Sequence, residues 1–215
     1  MASMMTPEEL AEYLCMDLAE VRRRARSGAL PAVPRGDSWR FSKEEIDHWL
    51  ESQVPHFPRE SLSRLEGGGA FAVRREAAPE TLLPALITPV AILLDGAAKT
   101  RASVLHELVE VLERSGRLID PDSILAAVRE REDMMSTALG RGVAIPHPRE
   151  RIPWAVTEDS LAVVRTVRGV PFGAMDGGLT DLFFLLVCPE DRRHLRILAP
   201  LRRILQKEAS LADLR

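Results

Sequence analysis

The sequence predicts a two-domain protein in which a small helical unit with a β-hairpin precedes a larger α/β domain with a mixed sheet flanked by helices. Helix caps and a hairpin turn occupy residues 1–53. Residues 54–85 contain four prolines and a Gly-Gly-Gly run without a sustained apolar period, which is typical of a flexible linker. Residues 86–215 alternate helical apolar faces with short apolar runs, which is typical of an α/β domain.

Residues 1–53 predict three helices and a hairpin. Thr6 precedes Pro7 and is followed three residues later by Glu9, a pattern that indicates an N-terminal capping box. Asp17 is the predicted cap of a second helix that ends at Gly28. The remaining elements are two short strands around residues 30–33 and 38–41, joined by Arg35-Gly36-Asp37, and a third helix with Ile46, Trp49 and Leu50 inward.

The larger domain predicts helices and strands in mixed order. An amphipathic helix over 101–115 is followed by Gly116, and Asp120-Pro121 begins a second helix that continues through 123–131. The run 182–187 is apolar enough for burial on both faces of a sheet. The other predicted elements are strands over 142–146 and 161–167 and a last helix over 192–206.

Composition limits the classes of function. With 46% hydrophobic and 28% charged residues the chain is an ordinary globular protein, and its net charge of −3 predicts no bulk attraction to nucleic acid or anionic membrane. The N-terminus has no apolar signal region, and the longest apolar run, 182–188, is too short to span a bilayer. We therefore expect a cytoplasmic protein with no membrane partner. Cys15 and Cys188 lie in apolar patterns and are predicted to be buried thiols.

The first domain carries a local basic patch despite having seven basic against ten acidic side chains. A helix with clustered arginines can enter a major groove while a hairpin contacts phosphates. The candidate DNA-binding residues are Arg22, Arg23, Arg24 and Arg26 in the second helix and Arg35 and Arg40 in the hairpin. The alternative is a solvated face or a protein-binding use of the same fold.

Residues 6–50 resemble the excisionase-like, MerR-related winged helix-turn-helix domain. The resemblance is carried by the S-G-A-L-P step, the W-R-F strand and the D-H-W-L helix. This resemblance implies DNA binding. Because one such domain offers little surface, tight specific binding requires a homodimer or a second protein.

The segment 131–149, R-E-D-M-M-S-T-A-L-G-R-G-V-A-I-P-H-P-R, contains the candidate reactive group. An imidazole is largely neutral and nucleophilic near pH 7. Pro146 restricts the backbone before His147, and Gly140 and Gly142 allow the backbone to approach a ligand closely. Because guanidinium groups suit phosphate oxygens, Arg131 adds to a pattern that indicates phosphate chemistry at His147.

Together with the G-V-P-F-G-A-M-D-G-G and D-R-R-H-L stretches, this segment resembles the IIA domain of the bacterial phosphoenolpyruvate-dependent phosphotransferase system, in the class shared by the mannitol, fructose and nitrogen-regulatory branches. The resemblance implies that His147 accepts a phosphoryl group from a histidine-phosphorylated carrier protein, with His194 and Arg131 as further active-site residues. Ser136, Thr137 and the backbone around Gly140 and Gly142 are expected to complete a phosphate cradle. Neither a cofactor nor a metal is expected.

Both resemblances in one chain suggest a regulator that couples phosphorylation of His147 to DNA binding or to a regulated protein partner, as a phosphocarrier and not a turnover enzyme. Two alternatives remain open. In the first, the N-terminal unit of a phosphocarrier only docks proteins. In the second, the chain is a DNA-binding protein whose IIA domain is unphosphorylated and serves in dimerisation or ligand sensing. Pro148 favours the second, since it stands where the family has a small residue and removes an N–H.

Overall fold

The computed structural model of the chain describes residues 4–14, 16–36, 38–53, 79–205 and 207–215. Cys15, Asp37 of the hairpin turn and the predicted linker up to residue 78 lie outside these ranges. The chain divides into two compact units between residues 76 and 77. Within the described ranges, every helix is too short or too polar to cross a membrane.

The N-terminal unit is built from helices and a small antiparallel sheet of strand order β1-β3-β2. Its described elements are β1 (Met4–Met5), α1 (Pro7–Tyr13), α2 (Leu18–Arg26), β2 (Val33–Arg35), β3 (Ser38–Ser42) and α3 (Lys43–Gln53). The capping box predicted for α1 is confirmed, because the Thr6 hydroxyl accepts from the backbone of Glu9 and the Glu9 side chain accepts from the backbone of Thr6. Asp17 occupies the N-cap position of α2 without a side-chain hydrogen bond.

The core of this unit is formed by the apolar side chains on the inner faces of its helices and of β3. The fully buried side chains are Leu10, Val21, Phe41, Ile46 and Leu50. In α2 the spacing of Val21 and Ala25 turns one face inward and leaves the arginines on the other faces. In β3 the alternation of a strand places Phe41 in the core and Arg40 on the opposite face.

The C-terminal unit consists of one five-stranded mixed sheet with helices on both faces. Its described elements are α4 (Pro79–Leu86), a 3₁₀ turn (Pro89–Ala91), β4 (Ile92–Gly96), α5 (Arg101–Glu113), α6 (Pro121–Met134), β5 (Ala138–Gly140), β6 (Val143–Ala144), β7 (Ser160–Val170), β8 (Thr180–Val187), α7 (Asp191–Leu205) and α8 (Glu208–Leu214). The strand order is β4-β7-β8-β6-β5. The β4–β7 and β6–β8 pairs are parallel, and the β7–β8 and β5–β6 pairs are antiparallel.

Strand β8 is buried on both faces, as its unbroken apolar run predicts. Phe183 and Leu185 belong to the apolar cluster that contains the inner faces of α5 and α6. Phe184 and Leu186 belong to the second cluster, with residues of α7 and α8. Cys188, directly after β8, is buried as predicted.

Three elements differ from the sequence-based expectations. Helix α4 begins inside the stretch assigned to the linker, where Leu83 and Leu86 pack on the second apolar cluster. Helix α8 follows the helix predicted to be last, and Leu211 joins the same cluster. Strand β4 owes its place to parallel pairing with β7. All three depend on distant partners, which local periodicity does not reveal.

Candidate functional site

His147 lies three residues after the end of β6, in the segment that continues alongside β8. The amide of Ile145 donates to the carbonyl of Thr137 at 3.2 Å, and the amide of Leu186 donates to the carbonyl of Pro146 at 3.0 Å. These bonds hold the backbone on both sides of residue 146 to neighbouring segments. The His147 side chain is only 4% exposed.

The hydrogen bond of the His147 ring defines its reactive nitrogen. Nδ1 lies 2.8 Å from the carbonyl oxygen of Ile145. A carbonyl can only accept, so Nδ1 is the donor. A neutral imidazole with its proton on Nδ1 has its lone pair on Nε2, so Nε2 is the ring nitrogen available to react. The role of His147 as the phosphoryl acceptor stays a prediction.

His194 meets His147 from the first turn of α7. The ring centroids are 4.9 Å apart and the ring planes are inclined by 46°. His194 is fully buried, and its amide donates to the carbonyl of Glu190 at 3.1 Å. The structure thus brings together the two histidines that the sequence placed 47 positions apart. Among the described residues, no group of three or more His, Cys, Asp and Glu side chains is arranged to hold a metal ion.

Arg131 is buried at the end of α6. Its Nη1 donates to the carbonyl of Met135 at 2.8 Å, so the guanidinium closes the C-terminal turn of the helix. A cation at this end of a helix is also favoured by the helix dipole. The role predicted for Arg131 in neutralising phosphate oxygens stays a prediction.

The two predicted hydroxyl contacts are engaged with protein groups. Ser136 Oγ donates to the carbonyl of Phe172 at 2.6 Å. Thr137 Oγ1 donates to Glu132 Oε2 at 2.6 Å, and the Thr137 amide donates to both carboxylate oxygens of Glu132 at 3.1 Å. The hydroxyls therefore fix the segment that leads into β5, and their contact with phosphate stays a prediction.

Glu132 is a site residue that the sequence analysis missed. It is 1% exposed, and burial raises its pKa despite hydrogen bonds with Thr137 and Ser136 and the nearby charge of Arg101. A usable signal exists in the sequence, because Glu132 follows Ile124 and Val128 at intervals of four on the apolar face of α6. A carboxyl at such a position must be hydrogen-bonded internally.

The glycines of the predicted cradle form the turn between β5 and β6. Gly140, Arg141 and Gly142 all have positive φ, at 79°, 55° and 80°. The amide of Arg141 donates to Asp176 Oδ2 at 2.8 Å, and Asp176 Oδ1 accepts from Gly178 at 3.0 Å. A carboxylate of the chain therefore lies at this turn, and contact of the two glycines with phosphate stays a prediction.

The contact made by Asp176 was also missed, because its D-G-G stretch entered the sequence analysis only as part of the family resemblance. Backbone hydrogen bonds from Arg141 and Gly178 lower the pKa of the Asp176 carboxyl. The side chain thus connects the β7–β8 loop with the turn between β5 and β6.

The arginines of α2 make ion pairs within the N-terminal unit. Glu20 accepts from Nε and Nη2 of Arg23, both at 2.8 Å, and from Nε of Arg24 at 2.6 Å. These hydrogen bonds, that from Arg23 first, lower the pKa of Glu20 to about 2. Arg22 Nη2 contacts Glu8 at 2.9 Å. The remaining predicted DNA-binding residues are exposed or half-buried at Arg26, Arg35 and Arg40.

The C-terminal unit is thus a mixed sheet between helices that brings His147, after β6, against His194 in the first turn of α7, and it follows a helical unit with a hairpin in the chain. The chain belongs to the family described as "Phosphoenolpyruvate-dependent sugar phosphotransferase system, EIIA 2", whose model matches residues 85–215. A second model, "Helix-turn-helix domain", matches residues 4–54.

Individual relatives match the C-terminal unit. The chain is 34% identical over 127 residues to the PTS system fructose-specific EIIA component of Haloferax volcanii, covering 57% of this chain and 79% of that protein. It is 33% identical over 141 residues to a nitrogen regulatory protein of Bradyrhizobium diazoefficiens, covering 64% and 82%. The crystal structure of nitrogen regulatory protein IIA-Ntr from Neisseria meningitidis superposes with a TM-score of 0.57 at 30% identity, covering 62% of this chain and 90% of that one.

Some relatives are much longer. The chain is 32% identical over 125 residues to the PTS system fructose-specific EIIABC component of Bacillus subtilis, but the match spans only 19% of that protein. The similarity to that relative therefore concerns one domain.

Proposed function

We propose that this chain is a cytoplasmic regulator in which phosphorylation of His147 by a histidine-phosphorylated carrier protein controls DNA binding by the N-terminal unit. The observation that carries the proposal is the orientation of His147. Its Nδ1 is bound to the carbonyl of Ile145, and its ring packs 4.9 Å from that of His194. This arrangement supports a nucleophilic Nε2 within a chain that also carries a helix-turn-helix domain.

The transfer step exchanges one nitrogen–phosphorus bond for another. Nε2 of His147 attacks the phosphorus of the carrier's phosphohistidine, the new bond forms as the old one breaks, and the carrier imidazole leaves with the electron pair. The proton on Nδ1 stays in its hydrogen bond with Ile145 throughout. Because phosphoryl transfer depends mainly on positioning and charge neutralisation, this fixed ring orientation favours the reaction.

Phosphorylation would change the charge of the C-terminal unit, and this change is the proposed signal. A phosphoryl group adds about −1.5 to −2 charges, as on other side chains. Binding of DNA depends on guanidinium contacts with phosphates, and α2 presents exposed arginines for that purpose. The added charge weakens binding of DNA, or redirects the C-terminal unit to a protein partner.

The first test is uptake of the phosphoryl group. The full chain is incubated with phosphoenolpyruvate, enzyme I and the histidine carrier protein, and its intact mass is measured. We expect one acid-labile phosphoryl group on the wild type and on His106→Ala, and none on His147→Ala. His106 is the matched control because it lies on α5 with its side chain 55% exposed.

The second test is coupling to DNA. Selection from a random-sequence library gives a binding site, and the affinity of the phosphorylated and unphosphorylated chains for it is compared at one salt concentration. We expect different affinities for the wild type and a single value for His147→Ala. Identical curves for the two forms would overturn the coupling.

Pro148 supports a second candidate function, a DNA-binding protein whose IIA domain serves in dimerisation or ligand sensing without phosphorylation. Its ring removes a backbone N–H next to His147. Absence of uptake by the wild type, while another IIA protein in the same mixture is phosphorylated, would replace the first function by this one.

A further inference from the structure

Asp159 is a buried carboxylate next to the first turn of α7. It lies one residue before β7, and the pairing of Ser160 with Val187 in the antiparallel β7–β8 ladder places it beside the end of β8. Its side chain is 4% exposed, and Oδ2 forms an ion pair with Nε of Arg193. A buried carboxylate needs such a partner, because the charge has lost its solvation by water.

Cys188, directly after β8, lies near this carboxylate. Burial is the main cause that raises the pKa of the Cys188 thiol, and the charge of Asp159 and a hydrogen bond with it act in the same direction. The thiol is therefore protonated and uncharged beside the carboxylate. Asp159 thus lies beside the end of β8 and is bound by Arg193 of α7.

Arg193 is adjacent in sequence to His194, and both lie in the first turn of α7. Successive helical residues point in directions about 100° apart, so Arg193 reaches Asp159 while His194 packs on His147. The amide of His194 donates to the carbonyl of Glu190, which closes the same turn. Movement of this turn relative to Asp159 would move the His194 ring relative to His147.

We propose that Asp159 is a positioning residue of the histidine pair, which holds Arg193 and thereby sets the place of His194 against His147. The inference rests on the proposed transfer of a phosphoryl group to His147. A misplacement of about 1 Å lowers the rate of a positioned reaction by roughly a hundredfold. Asp159 therefore acts on the rate without contacting the phosphoryl group.

The test uses the full chain with Asp159→Asn, which keeps the size of the side chain and removes its charge. The Arg193 side chain is 50% exposed, so water can solvate its guanidinium in the variant. We expect the maximal rate of phosphorylation to fall by roughly tenfold to a hundredfold. The carrier concentration at half-saturation is expected to stay within about twofold, because the docking surface keeps its side chains.

Asp181→Asn is the matched control. Asp181 also forms an ion pair with an arginine, Arg215 at 3.0 Å, but it lies near the start of β8, at the end opposite Cys188. We expect its rate to equal that of the wild type. The proposal would be overturned if Asp159→Asn were phosphorylated as fast as the wild type, or if Asp181→Asn lost as much of the phosphorylation rate as Asp159→Asn.

Arg193→Gln tests the same contact from the exposed side and serves if Asp159→Asn fails to fold. Since the two residues act through each other, the double variant is expected to be no slower than the slower single variant. Multiplied losses in the double variant, or a wild-type rate in Arg193→Gln, would contradict a shared role.

Nuclear magnetic resonance of ¹⁵N-labelled histidine rings separates this inference from the proposed function. We expect Asp159→Asn to shift the ring signals of His194 and leave those of His106 unchanged. If the wild type takes up no phosphoryl group, the proposed function fails. The ring signals of His194 then decide by themselves whether Asp159 positions this ring. Unchanged His194 signals would then overturn the positioning role.

Discussion

The rings of His147 and His194 lie with their centroids 4.9 Å apart, and the backbone carbonyl of Ile145 binds Nδ1 of the first ring. The contact joins the segment after β6 to the first turn of α7. The ring of His147 therefore has a fixed orientation, and the ring of His194 forms part of its immediate surroundings.

Replacing His194 is expected to slow phosphorylation of His147. His194→Gln removes a ring that is fully buried against the acceptor, and loss of one group that stabilises a transition state lowers rates by about 10²- to 10³-fold. Rapid quenching and intact mass give the rate, with His106→Gln as the exposed control on α5. Equal rates in the wild type and His194→Gln would assign His194 to packing only.

Thr137→Val is expected to destabilise the C-terminal unit. The variant keeps the shape of the side chain but removes the hydroxyl that donates to Glu132 at 2.6 Å. The Glu132 carboxyl group keeps the bonds from the Thr137 amide, so the variant loses one hydrogen bond, which costs about 0.5–1.5 kcal/mol. Urea unfolding followed by resolved signals of this unit measures the loss, and Thr157→Val, whose exposed hydroxyl donates to the carbonyl of Arg117, is the control. Equal stability of the two variants would show that the hydrogen bond from Thr137 to Glu132 does not stabilise this unit.

Gly140→Ala is expected to be more destabilising than Gly177→Ala. Both glycines have positive φ, which costs a residue with a Cβ roughly 1–2 kcal/mol. A Cβ at Gly140 would also meet Asp176 Oδ2 at 2.8 Å, whereas one at Gly177 meets nothing within 4 Å. Chemical denaturation gives both losses. Identical losses would show that the carboxylate of Asp176 yields without effect on stability.

The bond between Asp176 and the Arg141 amide predicts a dependence of stability on pH. Since the folded pKa of Asp176 is lowered, the unfolded chain binds more protons at low pH, and the stabilisation present above about pH 4 is lost as pH falls through the folded pKa. The stability difference between the wild type and Asp176→Asn is therefore expected to shrink on acidification. A difference that is constant from pH 6 to pH 2 would contradict this linkage.

Arg23→Gln is expected to weaken DNA binding uniformly across sequences. The Arg23 side chain is 75% exposed on α2 and can exchange Glu20 for a DNA phosphate. Loss of one phosphate contact reduces the slope of log affinity against log salt by about one. Fluorescence anisotropy at several salt concentrations measures this slope. Arg129→Gln, on α6 of the other unit, is the control, and an unchanged slope for Arg23→Gln would remove Arg23 from the interface.

Much of the fold follows from local signals. The Thr6 capping box and the Asp120 cap were predicted from spacing and are present, because a helix end is satisfied by residues within three positions. Burial of β8 on both faces follows from its apolar run. Helices α4 and α8 were not predicted in the same way, since they are stabilised by packing against the second apolar cluster.

The residues of the candidate site also differ in whether local sequence indicates them. The candidate reactive histidine is predicted from residues 131–149, where proline, glycine and arginine surround His147 within a short stretch. Glu132 carries a weak periodic signal, whereas Asp176 meets Arg141 across 35 positions and Asp159 meets Arg193 across 34. No spacing along the chain indicates such pairs.

The sequence by itself determined the two kinds of domain, the identity of the candidate nucleophile and most helix boundaries, because these depend on neighbours within one or two turns of chain. Only the tertiary structure decided which ring nitrogen of His147 carries the lone pair, that His194 lies against this ring, and that Asp159 pairs with Arg193 next to His194. These relations arise where the order of strands in the sheet and the packing of α7 bring distant segments into contact.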